Sequence, residues 1–259
     1  MTTEANAPEE TVLTYLDENI FVVALNRPEK RNAFSLAVLE RLREVFADLP
    51  ENAKAVVITA KGDHFCAGLD LGEHKVQAPF PSVLSSRRHH DTFKSIEFCG
   101  LPVITAMHGA VIGGGLELAC ATHIRVGEPD CFFQLPESRR GIFVGGGGTL
   151  RVRRLIGAGR MVEMMLTGRR YTAEEGISLG IIHYLAEPGG AFAKAMELAR
   201  VVAQNAPISN YLILNAIAAI DDMPAESALY TEAVSAALTL TSADAQQGID
   251  AFLNRNCDS

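Results

Sequence analysis

No C-x-x-C pair occurs in this chain. Its five cysteines, Cys66, Cys99, Cys120, Cys131 and Cys257, are odd in number and widely spaced, which excludes a disulfide framework or a clustered zinc site as the organising device. They read as buried or surface thiols. No uninterrupted apolar run reaches the ~18 residues that a spanning helix needs, so no membrane association is expected. The opening MTTEANAPEE lacks both a basic n-region and an apolar h-region. It is therefore not a secretory signal; it reads as a frayed polar tail, and the cytoplasm is the expected location. Positive charge is also in short supply, with 23 Lys and Arg against 31 Asp and Glu and a net charge of −8. That balance argues against a nucleic-acid surface. An anionic substrate would have to find local cations.

The common nucleotide and hydrolase signatures are missing as well. GGGLEL, VGGGGT and GAGRMV all fail to complete G-x-G-x-x-G, and no G-x-x-x-x-G-K-[ST] is present, so neither a dinucleotide fold nor a P-loop is expected. H-E-x-x-H and G-x-S-x-G are absent too, which removes the zinc-protease and nucleophile-elbow readings. His89 and His90 are neighbours on a polar helical stretch, where they point about 100° apart and cannot share a metal. They read as solvated. His108, at a strand end beside the glycine triplet, reads as a satisfied structural histidine.

What remains is an ordinary globular composition, 48% hydrophobic and 21% charged over 259 residues, large enough for one sizeable core. TVLTYL and IFVVAL, separated by Asp17, Glu18 and Asn19, predict a hairpin. Ser35 predicts a helix N-cap for SLAVLERLREVFADL, whose apolar residues follow the 3.6 period up to Pro50. AVVIT and LPVITAM read as buried strands, Val83 to Cys99 as a polar helix, GGGLELACA as a helix, and HIRVG and CFFQL as short strands. From about Gly146 the pattern turns to nearly continuous helix, interrupted by the strand-like IIHYLA. An alanine-rich helical series follows Pro188. The result is an α/β core with a helical appendage.

Two loops have the composition to bring backbone amides to one point. In CAGLDL, Ala67 and Gly68 keep side chains away from the backbone at Leu69. Gly113, Gly114 and Gly115 precede a helix, whose first N–H groups are unpaired and whose dipole favours negative charge. On composition alone, a glycine triplet at a strand-to-helix turn serves close packing equally well. Glu117 shifts the reading, because a glutamate inside the apolar LELACA is costly to bury without a partner or a task. Glu137 follows CFFQLP and is less conspicuous in isolation.

Six segments, NRPEKRNAF, HFCAGLDL, PVITAMHGAVIGGGLELA, FFQLPE, GIFVGGGGT and LTGRRYTAEEGISLGI, stand in this order. Together they resemble the enoyl-CoA hydratase/isomerase (crotonase) family from about residue 12 to 187. The resemblance implies a spiral of ββα units over residues 1–190, with residues 191–259 as a helical oligomerisation region, assembled as trimers or dimers of trimers. It implies an acyl-CoA substrate, no metal and no cofactor beyond the coenzyme A of the substrate. It places the oxyanion-hole amides at Leu69 and Gly114 and the catalytic carboxylates at Glu117 and Glu137. Lys30, Arg31, Ala67, Asp70 and Gly113 become the substrate-binding candidates, with Lys30 and Arg31 as cations at the pocket mouth. One of the two carboxylates is expected to have a raised pKa. The chain departs from the family at Val144, where many relatives carry proline, and at Leu150, where many carry glutamine. These departures point to a specialised acryloyl-CoA such as methylthioacryloyl-CoA. Double-bond isomerisation, thioester hydrolysis and non-catalytic acyl-CoA binding are the competing uses of such a site.

Overall fold

The computed structural model describes residues 10–73 and 78–255. Residues 1–9, which make up nearly all of the polar opening, and Cys257 lie outside the described residues.

The chain begins with the expected hairpin, β1 (Val12–Asp17) against β2 (Ile20–Leu25), paired antiparallel from Asp17 and Ile20 outward to Val12 and Leu25. Helix α1 (Leu36–Ala47) follows, and the Ser35 hydroxyl accepts from Val38 N at 3.2 Å. One orphan amide of the first turn is thereby satisfied. β3 (Ala55–Ala60), α2 (Pro79–Glu97), β4 (Val103–Met107), β5 (Ala110–Ile112), α3 (Gly114–Ala119), β6 (Ile124–Gly127) and β7 (Phe132–Gln134) complete the repeating part. α4 (Gly148–Thr167), kinked at Gly157, leads to β8 (Tyr171–Thr172), α5 (Ala173–Ser178) and β9 (Tyr184–Leu185). The last helices are α6 (Ala191–Ala203), α7 (Pro207–Ile220), α8 (Ala225–Leu240) and α9 (Ala243–Arg255).

Successive turns of the chain contribute strands to two different sheets. The larger runs β1-β2-β3-β4-β6-β9, parallel from β2 onward, and the smaller runs β5-β7-β8. Isolated bridges from Phe34 to Leu69 and from Cys66 to Val111 extend the smaller ladder towards the loop after β3. After the β1-β2 hairpin, the turns through β3, β4 and β6 each leave one strand in the large sheet before crossing to the small one, so the chain winds as a spiral.

The central strands are near-continuous apolar runs because both faces of the large sheet are covered. Alternate residues divide between two cores, as the two-residue period of a strand requires. Val23, Leu25, Val56 and Ile58 face α1, α2 and α3, while Ile20, Val22, Ala55, Val57, Ile104 and Val126 face α6. Helix α6 presents Ala191, Ala195, Ala199 and Ala203 to that second face. Their four-residue spacing makes a stripe of minimal side chains that allows close helix-on-sheet packing. The region beyond residue 190 is therefore not uniform. Its first helix belongs to the sheet, whereas α7 buries only Asn210 and α8 buries nothing, leaving Ile213, Ile217, Leu229, Tyr230 and Leu238 exposed.

Candidate active site

The α1 side of the sheet and the small sheet meet at a cavity of about 510 Å³. Its lining includes Ala67, Gly68, Leu69, Gly113, Gly114, Glu117 and Glu137, so both carboxylates and both glycine-bearing loops named from the sequence converge on one space. Leu69 is placed by the ladder beside it: Phe34 N donates to Gly68 O at 2.7 Å, and Phe34 O accepts from Asp70 N at 2.9 Å. The residue between two such bonds turns its own amide the other way. Gly114 is the first residue of α3, so its amide has no carbonyl one turn behind it. The two loops touch, since a Cβ on Gly68 would lie 2.8 Å from Ile112 O and 3.3 Å from Gly114 N. Glycine is thus required at Gly68 both by contact and by its φ of +92°.

Glu117 sits in the first turn of α3 and is 4% exposed. Its Oε1 accepts from Gly146 N at 2.8 Å and from Gly148 N at 2.7 Å. Burial pushes its pKa up, and the amides of Gly148 and Gly146, together with the charge of Arg151, offset this only in part. Room for the carboxylate exists because the loop opposite carries no side chains. A Cβ on Gly146 would lie 2.9 Å from Glu117 Oε2, and one on Gly148 would lie 2.9 Å from Oε1. The loop is tied from the other side by Arg151, whose Nη1 donates to Gly146 O at 3.2 Å. The Nε and Nη2 of Arg151 both donate to Glu97 Oε2, at 2.9 and 2.6 Å.

Glu137 opens a 3₁₀ turn after β7 and is 8% exposed. Burial raises its pKa to about 7; the backbone amide of its own residue opposes this, and the negative charge of Glu117 adds to it. Its Oε2 is buried and has no hydrogen-bond partner among the described residues. Gly113, at φ +54°, makes space for the other oxygen, since a Cβ there would lie 2.7 Å from Glu137 Oε1.

Lys30, Arg31 and Asp70 do not line this cavity. With Ala67 and Leu69 they line an adjoining depression of about 310 Å³. Asp70 already has partners: burial raises its pKa, but a 3.2 Å hydrogen bond from Arg27, the Gly72 amide and the charges of Arg27 and Lys30 outweigh that and hold it low. His108 is anchored through Nε2 to Gly62 O at 2.8 Å, as a structural histidine would be. His89 and His90 are only partly solvated. His89 lines the cavity with its Nδ1–H donating to Ser85 O at 2.8 Å, and both rings are half-buried because the loop before α4 folds over α2. Val144 lines the cavity, whereas Leu150 is 44% exposed on α4 and does not.

Sequence reasoning missed the Gly146 and Gly148 amides and Arg151. The run VGGGGT carried a usable signal, since four consecutive glycines before a helix expose amides that some anion must approach closely. Among the described residues no group of three His, Cys, Asp or Glu side chains is arranged to hold a metal ion. No helix among them is long and apolar enough to cross a membrane.

The whole arrangement has counterparts. A crystal structure from Rhodopseudomonas palustris CGA009, provisionally named an enoyl-CoA hydratase, is 44% identical, superposes with a TM-score of 0.93 and shares 96% of each chain. The enoyl-CoA hydratase of Bacillus anthracis superposes with a TM-score of 0.89 at 30% identity, over 95% of this chain and 97% of that one. The YngF protein of Bacillus subtilis (strain 168), provisionally named an enoyl-CoA hydratase/isomerase, is 33% identical over 248 residues, 94% of this chain and 95% of its own length. Residues 16–257 match the family profile of enoyl-CoA hydratase/isomerase, and with the spiral fold and these relatives that places the chain in the enoyl-CoA hydratase/isomerase family.

Proposed function

We propose that the protein is an enoyl-CoA hydratase, adding water across the 2,3 double bond of a 2-enoyl-CoA thioester. The observation that carries this reading is the convergence of Glu117 and Glu137 on one cavity beside the Leu69 and Gly114 amides. A conjugated thioester accepts a nucleophile at Cβ when the charge reaching its oxygen is stabilised. The Leu69 and Gly114 N–H groups would supply that stabilisation, each donor contributing roughly 2.7–4 kcal/mol in the transition state. Water held between the carboxylates gives its proton to Glu117 and its oxygen to Cβ, while Glu137 gives a proton to Cα. The electron pair of the double bond becomes the new C–H bond by way of the enolate.

The surroundings support this division of labour. Burial raises the pKa of Glu117, and the two amides on its Oε1 pull the other way, towards the charged form that a base requires. The raised pKa of Glu137, about 7, keeps a proton available for transfer. Coenzyme A enters as part of the substrate, and the proposed addition of water draws on no metal or other cofactor. The finer reading is a specialised acryloyl-CoA such as methylthioacryloyl-CoA, motivated by Val144 at the cavity wall. The exposed apolar side chains of α7 and α8 are proposed to be covered in a homotrimer or a dimer of trimers, with the enzyme acting in cytoplasmic fatty acid metabolism.

The test follows the loss of enoyl-thioester absorbance with crotonyl-CoA and substituted acryloyl-CoA esters, with mass analysis of the product. Gain of one water that disappears in Glu117→Gln and in Glu137→Gln is the expected result. A product isomeric with the substrate, or free acid and coenzyme A, would move the isomerase or thioester-hydrolase reading ahead. Binding without turnover would favour an acyl-CoA binding subunit.

A further inference from the structure

Helix α2 is patterned against the usual rule. Its N-terminal half turns Phe80, Val83 and Leu84 outward, at 70, 56 and 43% exposure, and lines the cavity with Ser82, Ser85, Ser86 and His89. One turn further on, the same inward face is apolar, with Phe93 and Ile96 fully buried. The face thus turns polar where it leaves the core and meets the cavity. Local violations of patterning of this kind mark functional positions.

Three of the four polar side chains on this wall are held by nearby backbone: Ser82 Oγ donates to Ala78 O at 3.2 Å, Ser86 Oγ to Gly145 O at 2.7 Å, and His89 Nδ1 to Ser85 O at 2.8 Å. The fourth, Ser85, is 9% exposed and lines the cavity, and its hydroxyl makes no hydrogen bond among the described residues. The wall lies close to the chemistry. Gly145 O accepts from Ser86, and the next amide, Gly146 N, donates to Glu117. Leu71, Ile142, Phe143 and Val144 also line the cavity, so an acyl chain passing Glu117 would meet apolar side chains as well as the polar ones of α2. An alkyl chain against Ser85 strips water from the hydroxyl and returns no hydrogen bond, which is the costly case for a buried polar group.

We propose that the α2 wall selects 2-enoyl thioesters bearing an oxygen substituent, a hydroxyl or carbonyl, on the acyl chain beyond Cβ, with the Ser85 hydroxyl as its hydrogen-bond partner. This rests on the hydratase reading for its chemistry but concerns specificity alone. A site built to hydrogen-bond a substrate oxygen discriminates strongly against the analogue lacking it.

The experiment compares kcat/KM for 2-hexenoyl-CoA with its 5-hydroxy and 6-hydroxy counterparts, in wild type and in Ser85→Ala. A preference of about tenfold or more for at least one hydroxylated ester is expected in the wild type. Ser85→Ala should bring that ratio close to one while leaving the melting temperature unchanged. Equal handling of hydroxylated and plain esters by the wild type, or a preference indifferent to Ser85→Ala, would overturn the proposal. If no ester gains water, the hydratase reading fails by itself. Dissociation constants for the same esters then read the selectivity directly, with the same two outcomes deciding it.

Discussion

The two carboxylates of the cavity are the same residue type and almost equally buried, yet the structure treats them in opposite ways. Glu117 is met by a loop without side chains that delivers two amides to one oxygen. Glu137 stands on a short 3₁₀ turn with one oxygen buried and unpartnered among the described residues. Burial raises the pKa of both, but only at Glu117 do donated hydrogen bonds from another segment pull against it. An acid and a base can therefore be made from two identical side chains by deciding which receives backbone hydrogen bonds.

The strongest way to break this comparison is to remove each charge while keeping the shape. Glu117→Gln and Glu137→Gln should each lower kcat by about 10² to 10⁴. The double variant should fall little further than the worse single one, because the two act on one water. Additive losses in steady-state kinetics would mean that they serve separate steps. The next largest effect is expected from crowding. Gly146→Ala would place a Cβ 2.7 Å from Phe93 and 2.9 Å from Glu117 Oε2, so the loop must shift and its amide must leave the carboxylate. We expect a loss of roughly 10² in kcat, consistent with about 1 Å of misplacement at a reacting group. Near-normal turnover in this variant would show that the amide contacts on Glu117 are dispensable.

A smaller effect should come from Arg151, whose side chain donates to Gly146 O in the same loop and is also held by Glu97. Arg151→Lys keeps the charge but not the planar fork that makes several bonds at once. A fall in kcat of about tenfold with little change in KM is expected, since the acyl pocket itself is intact. A change confined to KM would instead place Arg151 in substrate binding.

Smaller again is the pH response. Glu137 acts as the acid only while protonated, so kcat/KM should decline as pH rises through about 7, and Glu137→Gln should flatten that limb at its lower rate. The same raised pKa has a stability consequence of definite sign. Unfolded, the group titrates near 4.5, so between there and about 7 the folded chain holds the extra proton. Its contribution is full below 4.5 and is lost as pH rises through 7. Denaturant titrations at several pH values should show a shallower slope in Glu137→Gln than in the wild type, the remainder coming from Glu117, whose pKa burial also raises.

Much of this was legible before any coordinates. The hairpin, the Ser35 cap and the buried central strands follow from periodicity and capping, which are local properties of the chain. Glu117 was conspicuous because a charge inside an apolar helical run demands a reason. The Glu117 amide partners were not legible in the same way, because a backbone N–H belongs to every residue and only the fold decides which ones meet. His89 and His90 misled for a related reason. A polar helix reads as solvated until a distant glycine loop is found lying across it, and α2 hid its serine-lined face behind an outward row of apolar residues.

The weakest effect expected concerns the two departures from the family pattern, which the structure separates. Val144 borders the cavity, while Leu150, two residues into the next helix, faces outward at 44% exposure. Exposed substitutions without special contacts usually change stability by less than about 0.5 kcal/mol. Leu150→Gln should therefore leave kcat/KM for every ester in the panel unchanged and shift the melting temperature little. Val144→Ala removes two methyl groups from the apolar wall and should change the ranking of branched against straight-chain esters by a few-fold, in line with the modest worth of single methylenes in a pocket. A specificity change in Leu150→Gln with none in Val144→Ala would reverse the assignment. It would show that residue 150 reaches the acyl chain in the bound complex, and that the glycine loop, and with it the distinction between the two carboxylates, rearranges when substrate enters.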